Sequence, residues 1–195
     1  MRPFDYFINL TLSAILIVGA YQFYFWCQRN PLRPVRSFQW KIDEAIPYVP
    51  HWAWIYSFLY YPAILYLNLL VPNTAAFTHI AFSFIVLLLM QMGFFVFFPV
   101  ETPPHWRALT DGSSASERFL LYVRKFDAAS NCFPSMHTSV AMLTAMHALP
   151  TVGPIAFLFP VLIGLSCLFT KQHYLLDLPS GAFLGWLAFK VFVWL

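Results

Sequence analysis

The chain has 195 residues, of which 60% are hydrophobic and only 10% are charged, and its formal net charge is +3. A soluble globular domain carries about a quarter charged residues, so this composition cannot cover a soluble fold with polar surface. The mean hydropathy is +0.66, and the apolar runs are continuous rather than alternating, which favours helices over a membrane β-barrel. We therefore expect an all-α integral membrane protein, one domain over residues 1–195, with no nucleic-acid partner.

Six apolar stretches are interpreted as membrane spans, because a helix of about 20 residues crosses the hydrocarbon core. The first has no signal-peptide cleavage site and is interpreted as a retained span. With six spans both termini lie on one side, and the loops that hold nearly all the charges lie on the other. The spans cover approximately residues 6–26, 52–71, 76–98, 134–149, 155–169 and 174–195.

The polar segment between spans three and four contains a predicted short helix. Ser114 and Glu117 have the spacing of a capping box. After them, aromatic and aliphatic residues recur at helical spacing, with basic residues on another face. This pattern predicts an amphipathic helix lying on the membrane surface.

Two polar clusters, at residues 131–138 and 170–177, each stand at the mouth of a long apolar run. Ionisable residues in such places are candidate functional residues. If His173 opens a helix, Asp177 lies one turn further on the same face. A carboxylate there can hold the imidazole in one tautomer and raise its basicity. The pair therefore predicts a histidine prepared as a nucleophile or base.

The other cluster contains Ser135 and His137 directly after Pro134. Proline suits the first position of a helix, and a helix N-terminus attracts anions. Ser135 and His137 could therefore hold a phosphate and a proton donor together. Lys171 and Arg107 are the cations that we expect to bind the same phosphate, since ammonium and guanidinium groups both bind phosphate oxygens.

Two other kinds of site fit the residues less well. A metal could take His173, Asp177 and His137 as ligands, but the chain has no HExxH pattern or carboxylate cluster, and neighbouring cations would repel the ion. A serine protease would need a nucleophile turn around Ser135, which is missing. The three cysteines (Cys27, Cys132 and Cys167) have no CxxC pair, which is typical of small buried hydrophobic residues. We expect no metal and no cofactor.

Taken together, the clusters resemble the integral-membrane type 2 phosphatidic acid phosphatases (PAP2), and within them the inositol phosphorylceramide synthase-like branch. The family's motifs are KxxxxxxRP, PSGH and SRxxxxxHxxxD. The second appears here as residues 134–137, with Met136 in place of Gly. The third appears as residues 166–177, with Cys167 in place of Arg and the internal spacing intact. The first motif has no match, although Arg33 and Pro34 form an RP pair.

The resemblance implies a PAP2-like bundle and a metal-independent lipid phosphatase. By analogy, His173 is the nucleophile, Asp177 orients it, His137 is the general acid, and Ser135 binds the phosphate. Lys171 and Arg107 are the proposed substitutes for the missing cations, with Arg124 and Lys125 as further candidates.

Alternatives to hydrolysis stay open in the sequence. A lipid phosphotransferase would use the same histidines with an alcohol acceptor, and a non-catalytic lipid-binding protein would keep only the fold. Family analogy implies a protein of the bacterial inner membrane, with its active site on the extracytoplasmic face. The basic loop between spans one and two would point the other way by the positive-inside rule, but a phosphate site needs cations on either face.

Overall fold

The computed structural model describes residues 2–38, 40–127 and 129–194. Most of the described chain is helical, and short strands occur at Arg36–Ser37 (β1) and Val100–Glu101 (β2). The helices are α1 (Pro3–Arg29), α2 (Lys41–Ala45), α3 (Ala53–Phe58), α4 (Tyr60–Leu70), α5 (Thr74–Phe97), α6 (Pro104–Ala108), α7 (Ala115–Arg124), α8 (Met136–Val152), α9 (Leu158–Phe169) and α10 (Asp177–Trp194).

Four helical stretches within the described residues are long and apolar enough to cross a membrane, which supports an integral membrane protein. They are Pro3–Arg29, Pro50–Leu70, Thr74–Phe97 and Met136–Phe169. The last of these combines α8 and α9. The arrangement with six spans stays a prediction, because α8, α9 and α10 would each have to cross separately.

A short 3₁₀ turn at Gly153–Phe157 reverses the chain between α8 and α9. Gly153 has a φ of 72°, a backbone conformation that favours glycine. His137, near the start of α8, and Cys167, near the end of α9, bring their ligand atoms within 4.8 Å of each other. The two helices are therefore antiparallel. The sequence predicted the turn to begin at Pro150, but that proline lies inside α8.

Helix α10 packs directly on α8 through glycines. A Cβ added at Gly181 would overlap the backbone of Ser135, and one at Gly185 would overlap that of Ser139. The glycines of α10 thus allow its backbone to approach that of α8 closely. This contact brings the beginnings of both helices to the same end of the bundle.

The loop between α1 and α3 folds over that end of the bundle. Strand β1 pairs in parallel with β2. The hydroxyl of Tyr174 accepts a hydrogen bond from the Phe38 N–H at 3.0 Å and donates one to the Glu101 carbonyl oxygen at 2.9 Å. One buried tyrosine therefore connects both strands to the turn before α10.

Helix α7 has the capping box that the sequence predicts. Ser114 accepts a hydrogen bond from the Glu117 N–H, and the Glu117 carboxylate accepts one from the Ser114 N–H. Its Phe119 ring stacks on Trp54 with the ring centroids 4.8 Å apart, so α7 packs against α3. Its place at a membrane surface stays a prediction.

Candidate active site

Asp177 joins the two polar clusters. It is 1% exposed and is the first residue of α10. Its Oδ2 accepts hydrogen bonds from His173 Nδ1 at 3.2 Å and from the Tyr174 N–H at 2.9 Å. Its carbonyl oxygen accepts one from the Ser135 N–H at 3.0 Å. A single buried carboxylate residue therefore holds both segments in one place.

His173 lies in the turn before α10 and has a defined tautomer. Its Nδ1 is 2.9 Å from the Cys132 carbonyl oxygen as well as 3.2 Å from the Asp177 carboxylate. Both partners only accept hydrogen bonds, so Nδ1 of the neutral ring carries the proton and Nε2 keeps its lone pair. An available lone pair, on a ring oriented by a carboxylate, is what a nucleophilic histidine requires.

The sequence predicted a contact between His173 and Asp177, and this contact is present. It placed both residues in one helix, however, and this is wrong. We expected the last span to begin at Tyr174 with His173 opening the helix, whereas α10 begins at Asp177. The Asp177 side chain accepts a hydrogen bond from the N–H of Tyr174 three residues earlier. The carboxylate therefore stabilises the turn that precedes the helix, and the contact to His173 forms across that turn.

His137 is the second residue of α8 and lies beside His173, with ring centroids 6.0 Å apart. It packs against the rings of Tyr56 and Tyr60, at centroid distances of 4.4 and 4.9 Å. The Tyr56 hydroxyl is 3.5 Å from His137 Nδ1. The two tyrosines limit the positions open to the ring, and one small tetrahedral group could contact both histidines.

Ser135 is the N-cap of α8, so the helix begins at Met136 and not at Pro134, where the sequence analysis placed its start. Its Oγ accepts a hydrogen bond from the Thr138 N–H at 3.3 Å and is 3.2 Å from the Thr138 hydroxyl. Ser135 is completely buried. Because its oxygen serves as acceptor in the cap, its own hydroxyl proton is the group that could bind an anion.

Lys171 is close to the site in the chain, but its ammonium group is held by α2. Its Nζ donates a hydrogen bond to the Asp43 carbonyl oxygen at 2.6 Å and lies 4.8 Å from the centroid of the Trp106 ring. Burial lowers the pKa of Lys171, and this effect outweighs the opposite influence of Glu44 and Asp43. An ammonium has three N–H donors, and the hydrogen bond to Asp43 uses one of them.

The arginines considered as phosphate ligands are bonded to backbone oxygens and, for Arg124, also to a threonine hydroxyl. Arg107 donates to the Asp127 carbonyl oxygen at 2.7 Å. Arg124 is 6% exposed and donates to the Thr110 hydroxyl and to the Thr170 carbonyl oxygen. In the described part of the chain neither guanidinium hydrogen-bonds to His137 or His173. The structure thus brings Ser135, His137, His173 and Asp177 together. The cationic groups of Lys171, Arg107 and Arg124 donate hydrogen bonds to backbone carbonyl oxygens of other residues.

Sequence reasoning missed two polar residues that support the site. Gln91 donates to the Pro134 carbonyl oxygen at 2.6 Å and accepts from the Ser139 hydroxyl at 3.1 Å, which fixes the start of α8. Asp43 is 1% exposed and accepts from the Leu175 N–H at 2.6 Å. The signals were available: a single amide inside an apolar span, and an acidic residue in a basic loop.

Cys167 was also missed. It occupies the position that is Arg in the third PAP2 motif. Its Sγ lies in a cluster of possible metal ligands together with His137 and His173. This donor set differs from the one considered in the sequence, because Cys167 takes the place of Asp177. All three cysteines are free and buried, as predicted.

The comparison with protein families matches the PAP2 superfamily over residues 35–191. The chain belongs to the PAP2 superfamily. The matched region contains both polar clusters and α2 through most of α10, while α1 precedes it. Comparisons with curated proteins and with solved structures found no match.

Membership of the PAP2 superfamily indicates a phosphatase or a related phosphotransferase that acts on a lipid phosphate. The departures from the motifs do not alter the His173–Asp177 contact. Met136, which replaces the Gly of the second motif, is the first residue of α8. Because Cys167 replaces the Arg of the third motif, no guanidinium is present at that position.

Proposed function

We propose that the protein is a metal-independent phosphatase that hydrolyses a phosphomonoester or pyrophosphate of a membrane lipid through a phosphohistidine. The observation that carries this proposal is the orientation of His173. Its Nδ1 is bound to two acceptors, the Asp177 carboxylate and the Cys132 carbonyl, so that Nε2 is free to attack. His137 stands beside it with a ring centroid 6.0 Å away.

In this mechanism His173 Nε2 attacks phosphorus, and the bond from phosphorus to the lipid oxygen breaks. His137, as general acid, gives its proton to the departing oxygen. The neutral His137 then removes a proton from water, which attacks the phosphohistidine and releases phosphate. The Asp177 carboxylate stabilises the positive charge that His173 carries while it is phosphorylated.

The negative charge on the transferred phosphoryl group needs preorganised donors. We assign this role to the Ser135 hydroxyl, to the free N–H groups of the first turn of α8, and to Lys171 and Arg107. Helix N-termini bind phosphate in this way. Lys171 would use its remaining N–H donors, and Arg107 those not bound to the Asp127 carbonyl oxygen.

An apolar cavity between α1, α4, α5 and α8 supports a lipid as the substrate. Its empty space, with the part open to solvent included, is about 980 Å³, and apolar side chains make up most of its lining. Along α5 it extends from Phe77 to Gln91, about 21 Å at the rise of an α-helix. At one end it is lined by Tyr60 and Met136, the neighbours of His137. A single alkyl chain fits a space of this length and lining.

Phosphate release in the presence of EDTA tests this function. The full chain, purified in detergent, is assayed with phosphatidic acid, phosphatidylglycerophosphate, an isoprenyl pyrophosphate and lipid A, beside a His173→Ala variant. We expect release from at least one lipid that survives EDTA and disappears in the variant. Acid-labile labelling of the wild type by a ³²P-labelled substrate, absent from His173→Ala, would identify the phosphohistidine.

Other outcomes separate the alternatives. Phosphate release that needs added metal would overturn the metal-free mechanism. No release from any lipid, followed by product formation when alcohol acceptors are added, would identify a phosphotransferase with the same histidines. No reaction in either assay would leave a lipid-binding protein.

Accessibility of an engineered cysteine near Arg36 to impermeant reagents would test the proposed extracytoplasmic face.

A further inference from the structure

Three metal-binding side chains converge between α8, α9 and the turn before α10. His137, Cys167 and His173 each offer one ligand atom, and these atoms all lie within 4.8 Å of one another. Imidazole nitrogen and thiolate sulfur are preferred ligands of Zn²⁺, at about 2.0–2.1 Å and 2.3 Å respectively. In a tetrahedral site with these bond lengths the donors stand about 3.5 Å apart. Binding would therefore need shifts of only about 1 Å.

His173 is also in the chemical state that a metal requires. His173 Nε2 has its lone pair free because Nδ1 donates to the Cys132 carbonyl and the Asp177 carboxylate. A ligating histidine whose second nitrogen donates to a carboxylate is the usual arrangement around protein-bound zinc. Cys167 is completely buried, and His173 is 6% exposed, so bulk water would compete little for the ion.

The two cations that the proposed function assigns to the phosphate are each bonded to a backbone carbonyl oxygen. Lys171 donates to the Asp43 carbonyl oxygen, and Arg107 donates to the Asp127 carbonyl oxygen. The position where the third PAP2 motif has Arg carries a thiol here. A guanidinium at that position would repel a divalent cation, whereas a thiolate attracts one.

We propose that His137, Cys167 and His173 form a binding site for a soft divalent cation such as Zn²⁺, and that its occupancy switches the phosphatase off. The metal bonds to the His173 Nε2 lone pair, the same pair that would attack phosphorus, so metal and substrate exclude each other. On binding, the Cys167 thiol gives its proton to solvent, which makes the affinity fall as the pH is lowered. The inhibition rests on the proposed function, but the binding does not.

Co²⁺ spectroscopy tests the site without any assay of activity. The full chain in detergent is stripped with EDTA, desalted and titrated with Co²⁺. We expect one ion per chain, a thiolate-to-cobalt absorption band in the near ultraviolet, and loss of that band when Zn²⁺ is added. Cys167→Ser should abolish the band and weaken Zn²⁺ binding by at least about tenfold. Cys27→Ser is the matched control, because Cys27 is also completely buried but lies in α1 outside the site, and should keep both.

A band that persists in Cys167→Ser, or Co²⁺ binding without a thiolate band in the wild type, would overturn the proposal. If Cys167→Ser does not fold, X-ray absorption at the zinc edge of the wild type decides, since one sulfur and two nitrogen ligands are expected. With an active lipid substrate, micromolar Zn²⁺ should inhibit the wild type and Cys27→Ser much more than Cys167→Ser. Metal binding in a chain that proves to have no phosphatase activity would leave the site standing and reject only the switch.

Discussion

The hairpin of α8 and α9 and the first helix α1 differ in how firmly the rest of the chain holds them. In the apolar 18-residue stretch of Met136–Phe169, 39% of the residues are buried, whereas in the corresponding stretch of α1 only 6% are buried. Helix α8 packs against α10 with backbones so close that no Cβ fits at Gly181 or Gly185. Helix α1 is joined to its neighbours by hydrogen bonds such as Ser13 with Asn68 and by ring contacts such as Tyr24 with Phe95.

The difference agrees with the function that we propose for each region. The α8–α10 contact positions Ser135, His137 and Asp177 with respect to one another, and small displacements of such groups are costly to catalysis. Helix α1 lies outside the region matched to the PAP2 superfamily and contributes one wall of the apolar cavity. A wall that contacts only alkyl groups needs no comparable accuracy. We infer that tight packing marks the catalytic part and loose packing the part that receives the lipid.

The largest effect is expected at the carboxylate that joins the two clusters. Asp177→Asn removes the negative charge beside His173 Nδ1, and the amide can hold the imidazole in the wrong tautomer. We expect a loss of about a thousandfold or more in the rate of phosphate release. His147→Gln is the control, because this histidine lies further along α8 and contacts Ser83 rather than the site. Similar losses in both variants would show that Asp177 has no special role.

The same substitution in the two helices tests the packing difference directly. Gly185→Ala places a methyl group against the Ser139 backbone, whereas a Cβ at Gly19 meets nothing within 4 Å. We expect Gly185→Ala to destabilise the protein by about 1–3 kcal/mol. Gly19→Ala should be neutral or stabilise α1 by up to about 1 kcal/mol. Thermal unfolding in one detergent measures both, and equal shifts in Tm would remove the contrast.

The proposed role of α1 in lipid binding predicts a smaller and selective effect. Ala20 lines the cavity, and Ala20→Trp would fill part of it. We expect KM for a long-chain lipid phosphate to rise by about tenfold, equivalent to about 1.4 kcal/mol of binding, with little change for a short-chain substrate. Val18→Trp, at a position 60% exposed on the same helix, is the control. An equal loss for both chain lengths would indicate a structural defect instead.

The smallest effect concerns the pH dependence that Lys171 confers. If the charged ammonium binds the phosphate, activity falls as the pH rises through its pKa, which burial lowers from the ordinary lysine value. Arginine stays charged throughout this range. Lys171→Arg should therefore move the alkaline limb of kcat/KM to higher pH, even if its maximum is reduced. An alkaline limb at the same pH in both proteins would assign it to another group.

What the sequence could predict depended on distance along the chain. His173 and Asp177 are four residues apart, and Pro134 and Ser135 stand directly before α8, so local rules were sufficient to find the pair and the approximate start of the helix. The bond from Lys171 to the Asp43 carbonyl joins residues 128 positions apart, and no local pattern indicates it. The same holds for Cys167, which reaches His137 only because a hairpin returns the chain. The six-span topology is the main part of the predicted fold that stays untested.

Lys171 has a φ of 56°, in the left-handed region that residues other than glycine seldom adopt. Such a residue costs about 1–3 kcal/mol of stability. In a library screened for heat resistance alone, glycine or asparagine should accumulate at this position. In one screened for turnover, lysine should be retained. The position therefore distinguishes the two selections, and the residue recovered there tells an engineer which property was improved.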